Sequence, residues 1–465
     1  MSELPSGWEQ VNLSDIAHIE SGIGFPLNYQ GEKAGDLGFF KVGDISRAVA
    51  QFGGQLKNAQ HYVSYSVASE LKGKPVLAGA TVFAKIGEAI RLHRRAYVVE
   101  DCLIDNNVMA VKAFDSRSDR FLFRFMQTKD ISELARSTTV PSLRKGDIEG
   151  LHVPLAPLNE QKRIADKLDA VLARVDACRD RLDRIPAILK RFRQSVLAAA
   201  TSGKLTEEWR ELNRQPVGKA RDEVLQRLIL RREKNPSNKK FKEPSACDLT
   251  HWRLDIPSTW SVESVSAYAE CLDHLRIPVT RDKRANTHGL YPYYGANGQV
   301  DMVDEYLFDD ELVLVTEDET FYGREKPIAY RTSGRCWVNN HAHVLLAGDR
   351  SRADYLCYAL MYYDVLPWLT GTTGRAKLTQ GVLNSLPIAV PPETELLEIV
   401  RRVEALFAFA VRLEARYAAA RAQVEKLTPA TLAKAFRGEL VSQDPNDEPA
   451  SVLLEHIKAQ VSNNQ

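Results

Sequence analysis

The sequence predicts an α+β protein: two mixed domains separated by two long helices, the whole carrying an internal pseudo-twofold repeat. A short motif recurs, Leu4-Pro5-Ser6-Gly7-Trp8 near the start and Ile256-Pro257-Ser258-Thr259-Trp260 past the middle. The Pro-rich stretch Leu151 to Pro157 recurs as Leu386 to Pro392. Each Pro-rich stretch runs into a long helical pattern whose apolar residues step alternately by three and four.

The elements follow in order. Residues 1–156 read as a first domain, with a strand over Thr81 to Ile86 and a helix after Asp119. Residues 157–249 read as a helical region with a linker, and residues 250–391 as a second domain. That domain has a strand over Glu311 to Thr316 and a helix after Arg352. Residues 392–465 read as a second helical region with a C-terminal tail. Between the domains, Ser137-Thr138-Thr139 matches Gly371-Thr372-Thr373, and Leu143 matches Leu378 with one extra residue in the second copy.

In the first long helix the apolar seam is Ile164, Leu168, Val171, Val175, Cys178, Leu182, Ile185, Leu189, Phe192 and Val196. In the second it is Ile399, Val403, Leu406, Ala410, Leu413, Tyr417, Ala420, Val424 and Leu427. A heptad seam held this long predicts that the two helices pair as an antiparallel coiled coil. Laying each seam on a domain surface is the other way to bury it. Pro186 predicts a kink or restart. Thr428-Pro429 reads as an N-cap followed by a proline in a new first turn. Gly203 and Gly438 read as helix stops. A short helix over Ala220 to Lys234 precedes a polar linker around Asn235 to Lys242, and Asp444 to Pro449 links to a small terminal helix.

Of the 465 residues, 44% are apolar and 26% charged, which fits a soluble globular protein. No stretch approaches the ~20 apolar residues that span a bilayer, and Met1 to Pro5 lacks the regions of a signal peptide. The six cysteines form no CxxC pair and read as reduced thiols of a cytoplasmic protein. A net charge of +1 argues mildly against a free-standing nucleic-acid-binding domain, but suits a subunit that buries surface against partners.

Several segments carry a family resemblance. In the first helical region they are Pro157-Leu158-Asn159-Glu160-Gln161-Lys162, Ile188 to Gln194 and Gly203 to Arg210. In the second they are Ile399 to Glu404 and Leu432 to Leu440. In the second domain they are Tyr291 to Gly298, Trp337 to Val344 and Gly371 to Gln380. In order and spacing these resemble the specificity subunits of type I restriction-modification enzymes, across nearly the whole chain. The resemblance implies two target-recognition domains, each reading half of a bipartite site in double-stranded DNA. It implies docking of two modification subunits, and of two restriction subunits in the full complex. S-adenosylmethionine, ATP and Mg would sit on those partners, with no cofactor on this chain. About 40 helical residues span roughly 60 Å, and dimeric readers set half-sites about 34 Å apart. Two unlike domains on such a spacer predict an asymmetric, interrupted target.

The sequence holds no GxxxxGK[ST] loop, no GxGxxG after a strand, and no NPPY-type tetrapeptide. His341, His343 and Cys336 match no standard zinc spacing, so no metal is expected. The chain therefore reads as a non-catalytic recognition subunit. A coiled-coil scaffold with two ligand-binding modules is the alternative, and a nuclease or methyltransferase in its own right is a third reading.

DNA-contact candidates are spread over both domains. Lys85 and the basic cluster Arg91, His93, Arg94 and Arg95 suit phosphates, the alternative being a solvated loop. Asn106 and Asn107 are matched with Asn339 and Asn340, next to His341. Asn can pair with adenine in the major groove or cap a turn. Tyr293, Tyr294 and Asn297 lie in a Gly-bounded loop and either approach DNA or pack. Ser142, Arg144 and Lys145 correspond to Arg375 and Lys377 in the loops before the long helices, as backbone or base contacts.

Overall fold

A computed structural model describes residues 4–136, 140–234, 243–279, 289–318, 321–369 and 376–463. They form two compact units, Met1–Asp183 with Ala418–Gln465, and Arg184–Tyr417. The helices that carry the architecture are α1 (Asp119–Thr128), α2 (Leu158–Asp183), α3 (Ile185–Thr201), α4 (Lys219–Lys234), α5 (Arg350–Leu360), α6 (Glu393–Ala435) and α7 (Ala450–Asn463). The mixed α/β composition and the long helices match the predicted class.

In the first unit a five-stranded sheet runs Ala17–Ser21, Val108–Ala113, Thr81–Ala84, Ala96–Val98, Gln55–Leu56. Thr81–Ala84 and Val108–Ala113 pair antiparallel with Phe83 opposite Met109, and nearly every residue of both is buried. Strands covered on both faces read as continuous apolar runs rather than alternating ones. A three-stranded sheet runs His61–Val63, Leu37–Phe40, Cys102–Ile104, its strands interleaved along the chain with those of the first. Helix α1 buries Phe121, Leu122, Phe125 and Met126, and Phe436 sets its ring 5.1 Å from Phe121. Ala450, Leu453 and Ile457 of α7 join the same core. The C-terminal segment is thus part of the unit's interior.

In the second unit a six-stranded sheet runs Glu270–Cys271, Ala342–Leu346, Phe308–Thr316, Ala329–Val338, Tyr291–Gly295, Gly298–Val303. Val313, Val315 and Leu345 pack with Tyr355, Leu356 and Leu360 of α5, and with Val196, Leu197 and Ala200 of α3.

The repeated Trp motif has the same use in each unit. The Trp8 indole donates to Glu160 at 2.9 Å, and the Trp260 indole donates to Glu395 at 2.9 Å. Each Trp leads into a strand paired with the Pro-rich stretch, Glu9 opposite Leu155 and Ser261 opposite Val390. Glu395 also accepts from Thr206 at 2.7 Å and Arg210 at 3.2 Å. Glu160 has no such second set, and its Oε1 is buried without a hydrogen bond among the described residues. Burial pushes the Glu160 carboxyl up, opposed by the Trp8 hydrogen bond and by Arg163. Gly203 and Gly438 adopt φ of 78° and 74° at the helix ends, and a Cβ on either would run into Pro257 or Pro5 respectively. These are the stops the sequence predicts.

The helix interruptions divide. Helix α3 restarts at Ile185 with Pro186 in its first turn, as predicted. At Pro429 the prediction fails, because α6 runs through that residue without a new N-cap at Thr428. Proline there removes one N–H and leaves the Glu425 carbonyl without its helical bond. Val424 and Leu432, buried on either side, hold the helix together.

Of the seam, Ile164, Leu168, Val175, Leu189, Ile399, Val403 and Val424 are buried, and Val171, Leu182, Leu406, Leu413 and Tyr417 are half-buried. Ile164 and Leu168 join the domain core of the first unit, and Ile399 and Val403 that of the second. Where the seam leaves the domain cores, ion pairs link the helices. In the first unit Asp183 meets Arg421 and Arg179 meets Glu425, so the segments run in opposite directions. In the second unit Arg193 grips Glu414 at 2.5 and 2.9 Å. Partly exposed pairs contribute at most ~1 kcal/mol each, so they report orientation more than stability. No described helix is long and apolar enough to cross a membrane.

Candidate nucleic-acid interface

Lys85, Asn107 and the segment before Leu143 meet where a central strand ends, as do Glu317, His341 and the segment before Leu378 in the second unit. In the first unit Lys85 follows the strand Thr81–Ala84. Its N–H donates to the Asn107 carbonyl at 2.7 Å, and its carbonyl accepts from the Leu143 N–H at 3.0 Å. One residue thus ties a turn, Asp105 to Asn107, to the segment that carries Ser142 and Arg144 and leads into the short helix starting at Lys145. In the second unit Glu317 follows Phe308–Thr316 and makes the same two bonds, from its N–H to the His341 carbonyl at 3.0 Å and from Leu378 N–H at 2.9 Å. The match of Leu143 with Leu378 has this backbone counterpart.

The turns correct the amide alignment by one residue. Asp105 accepts from the Asn107 N–H at 2.9 Å, and Asn339 accepts from the His341 N–H at 2.8 Å. Asn106 therefore corresponds to Asn340, and Asn107 to His341. An Asx turn is served equally by Asp or Asn, so the sequence could not fix the register. Asn339 is buried and occupied as the turn cap, whereas Asn106 and Asn340 are exposed at the turn tips.

The basic cluster splits. Arg91 is exposed and pairs with Glu88 at 3.1 Å, and His93 lies 3.2 Å from Asp130. Arg94 is half-buried. Arg95 is only 3% exposed, contrary to its place among the DNA candidates. Its guanidinium donates to the carbonyls of Met126 and Lys129 at 3.2 and 3.0 Å, closing the end of α1, and lies over Phe83. Burial pushes it down to about 10, against the pull of Asp130.

Tyr293 is also removed from the candidates, since it is 2% exposed and faces inward from its strand. Tyr294 is half-buried against Tyr330, with ring centroids 6.0 Å apart. Asn297 is exposed, and its side-chain carbonyl accepts from Arg324 at 2.7 Å. Arg375 lies outside the described residues. Lys377 is exposed, 3.7 Å from Asp318, which also lies 2.7 Å from the His341 ring.

A model of the family described as "Type I restriction modification DNA specificity domain" matches residues 5–187 and 272–420. This chain belongs to the type I restriction-modification DNA specificity family. The EcoDI specificity subunit of Escherichia coli is 29% identical over 98% of this chain and 96% of its own length. The EcoKI specificity subunit of Escherichia coli K12 is 30% identical over 71% of this chain and 68% of its own. In fold, the chain is similar to the HsdS subunit from Thermoanaerobacter tengcongensis. That match has a TM-score of 0.55 and 18% identity, covering 94% of this chain and 98% of the other.

For a member of the specificity family, two groupings of side chains escaped the sequence reading. Lys72 and Lys74 line a groove of about 420 Å³ with Glu20 and Lys145. Burial pushes the Glu20 carboxyl up, opposed by His18, Lys74 and Lys145. Lys72-Gly73-Lys74 and Arg144-Lys145 lie about 70 residues apart, and neither pair is long enough to stand out as a basic run. In the second unit Asp273, Glu317 and His343 bring ligand atoms within 4.8 Å of one another. Arg276 already lies among them, donating to Glu317 at 2.8 Å and 3.3 Å from Asp273. Burial raises the Asp273 carboxyl, yet the His343 hydrogen bond and Arg276 prevail and hold it below the ordinary range. Cys336 packs with Leu312, Val338 and Val344 instead.

Proposed function

We propose that this chain is the DNA-reading subunit of a type I restriction-modification enzyme and is itself non-catalytic. Each unit reads one half of a bipartite, interrupted target in double-stranded DNA. The observation that carries the reading is the junction at Lys85 and Glu317. The same backbone bonds present Lys85 with Asn107 in one unit and Glu317 with His341 in the other. One scaffold with unlike polar side chains suits two unlike half-sites. The long helices act as a paired antiparallel coiled coil that spaces the readers and docks two modification subunits, with two restriction subunits in the full complex. S-adenosylmethionine, ATP and Mg belong to those partners.

The chain with its modification subunits is expected to be retained on DNA and released as salt rises. The purified chain alone is expected to show neither methyl transfer nor ATP hydrolysis. Robust turnover without partners would refute the division of labour. Salt-insensitive retention, or none, would favour the scaffold alternative.

A further inference from the structure

His343 is 1% exposed, yet both ring nitrogens meet acceptors. Nδ1 lies 2.5 Å from Asp273 Oδ2, and Nε2 lies 2.6 Å from the Leu378 carbonyl. A carbonyl and an ionised carboxylate only accept, so both nitrogens donate. Asp273 is held in turn by the Val344 N–H at 2.9 Å. Leu378 is the residue whose N–H ties the loop to Glu317, and Lys377 precedes it. The first unit makes the same backbone bond without the relay. Its residue at the equivalent register is Met109, opposite Phe83, where His343 stands opposite Val315.

We propose that His343 is a positioning residue for DNA recognition by the second unit: it bridges the fixed Asp273 side chain to the Leu378 carbonyl by hydrogen bonds and so sets the backbone that presents Lys377. Arg276 donates to Glu317 and to the Ala342 carbonyl, both at 2.8 Å, and these two partly exposed side chains flank the pair. This inference rests on the DNA-reading function proposed above.

The test uses the full chain with its modification subunits, a duplex carrying the mapped target, and duplexes with either half-site scrambled. His343→Gln keeps one donor but sets an amide oxygen against Asp273 or Leu378. It is expected to weaken target binding about tenfold, the effect of one charged hydrogen bond. The loss should vanish on the duplex whose second-unit half-site is scrambled. Adding Asp273→Asn rebuilds the relay from neutral amides, the introduced asparagine donating to the glutamine and the glutamine to Leu378. That double variant is expected to bind within about threefold of the original chain, a small difference on this scale. Three results would overturn the proposal: unchanged binding by His343→Gln, an equal loss on both scrambled duplexes, or a double variant as weak or as unfolded as the single one. If the unaltered complex does not distinguish target from scrambled duplex, the DNA-reading function fails, and this proposal with it.

Discussion

Trp8→Ala is expected to destabilise the first unit by about 3–5 kcal/mol, the usual cost of removing a large buried aromatic. Trp8 is 6% exposed in a core shared with Leu155, Leu168 and Ile457. Its loss also leaves Glu160 without its hydrogen bond, and Oε1 of that carboxylate already has none among the described residues. Denaturant unfolding of the chain checks the size, and a change below about 1 kcal/mol would contradict a core place for Trp8. Trp8→Phe separates the two contributions. It keeps most of the ring and removes the donor to Glu160, whose carboxyl burial already pushes up. Removing the donor raises that carboxyl further in the folded state. The stability gap between the original chain and the Trp8→Phe variant should therefore be full above the Glu160 ionisation and shrink as pH falls through it.

A one-turn insertion in both crossing helices is expected to lengthen the gap in the recognised DNA by one or two base pairs. The chain passes between its two units at Asp183–Arg184 and at Tyr417–Ala418. Four alanines after Arg184 and four after Tyr417 add roughly 6 Å if both extend as helix. That is nearly two steps of about 3.4 Å along B-DNA. Both half-sites should keep their bases. Mapping the modified sites decides the point: an unchanged gap means the inserts loop out, and altered half-site bases would refute the spacer.

What the sequence revealed was whatever repeats or punctuates. The Trp motif, Leu143 with Leu378, Pro186, Gly203 and Gly438 each leave a local signal, because a turn, a stop or a repeated bond demands a residue type. What stayed hidden depends on partners distant in the chain. Arg95 looked like surface charge because its acceptors, the carbonyls of Met126 and Lys129, are backbone atoms that leave no mark on composition. Asp273 and His343 lie 70 residues apart, and neither has a neighbour in sequence that betrays the pair. Pro429 stays helical because buried flanking residues outweigh a lost bond, which local punctuation cannot weigh. The terminal helix read as a tail, since its apolar face matches a core assembled from the other end of the chain.

Exchange of residues 13–151 for the matching segment of a relative, followed by mapping of methylated adenines, tests the modular reading most directly. These ends lie inside the strand pairing of Asn12 with His152, so Trp8, Glu160 and the C-terminal helix are kept. If each unit reads its own half, one half-site changes while the other half-site and the gap stay as they were. If both half-sites change together, or neither does, the two units do not read DNA as separate modules.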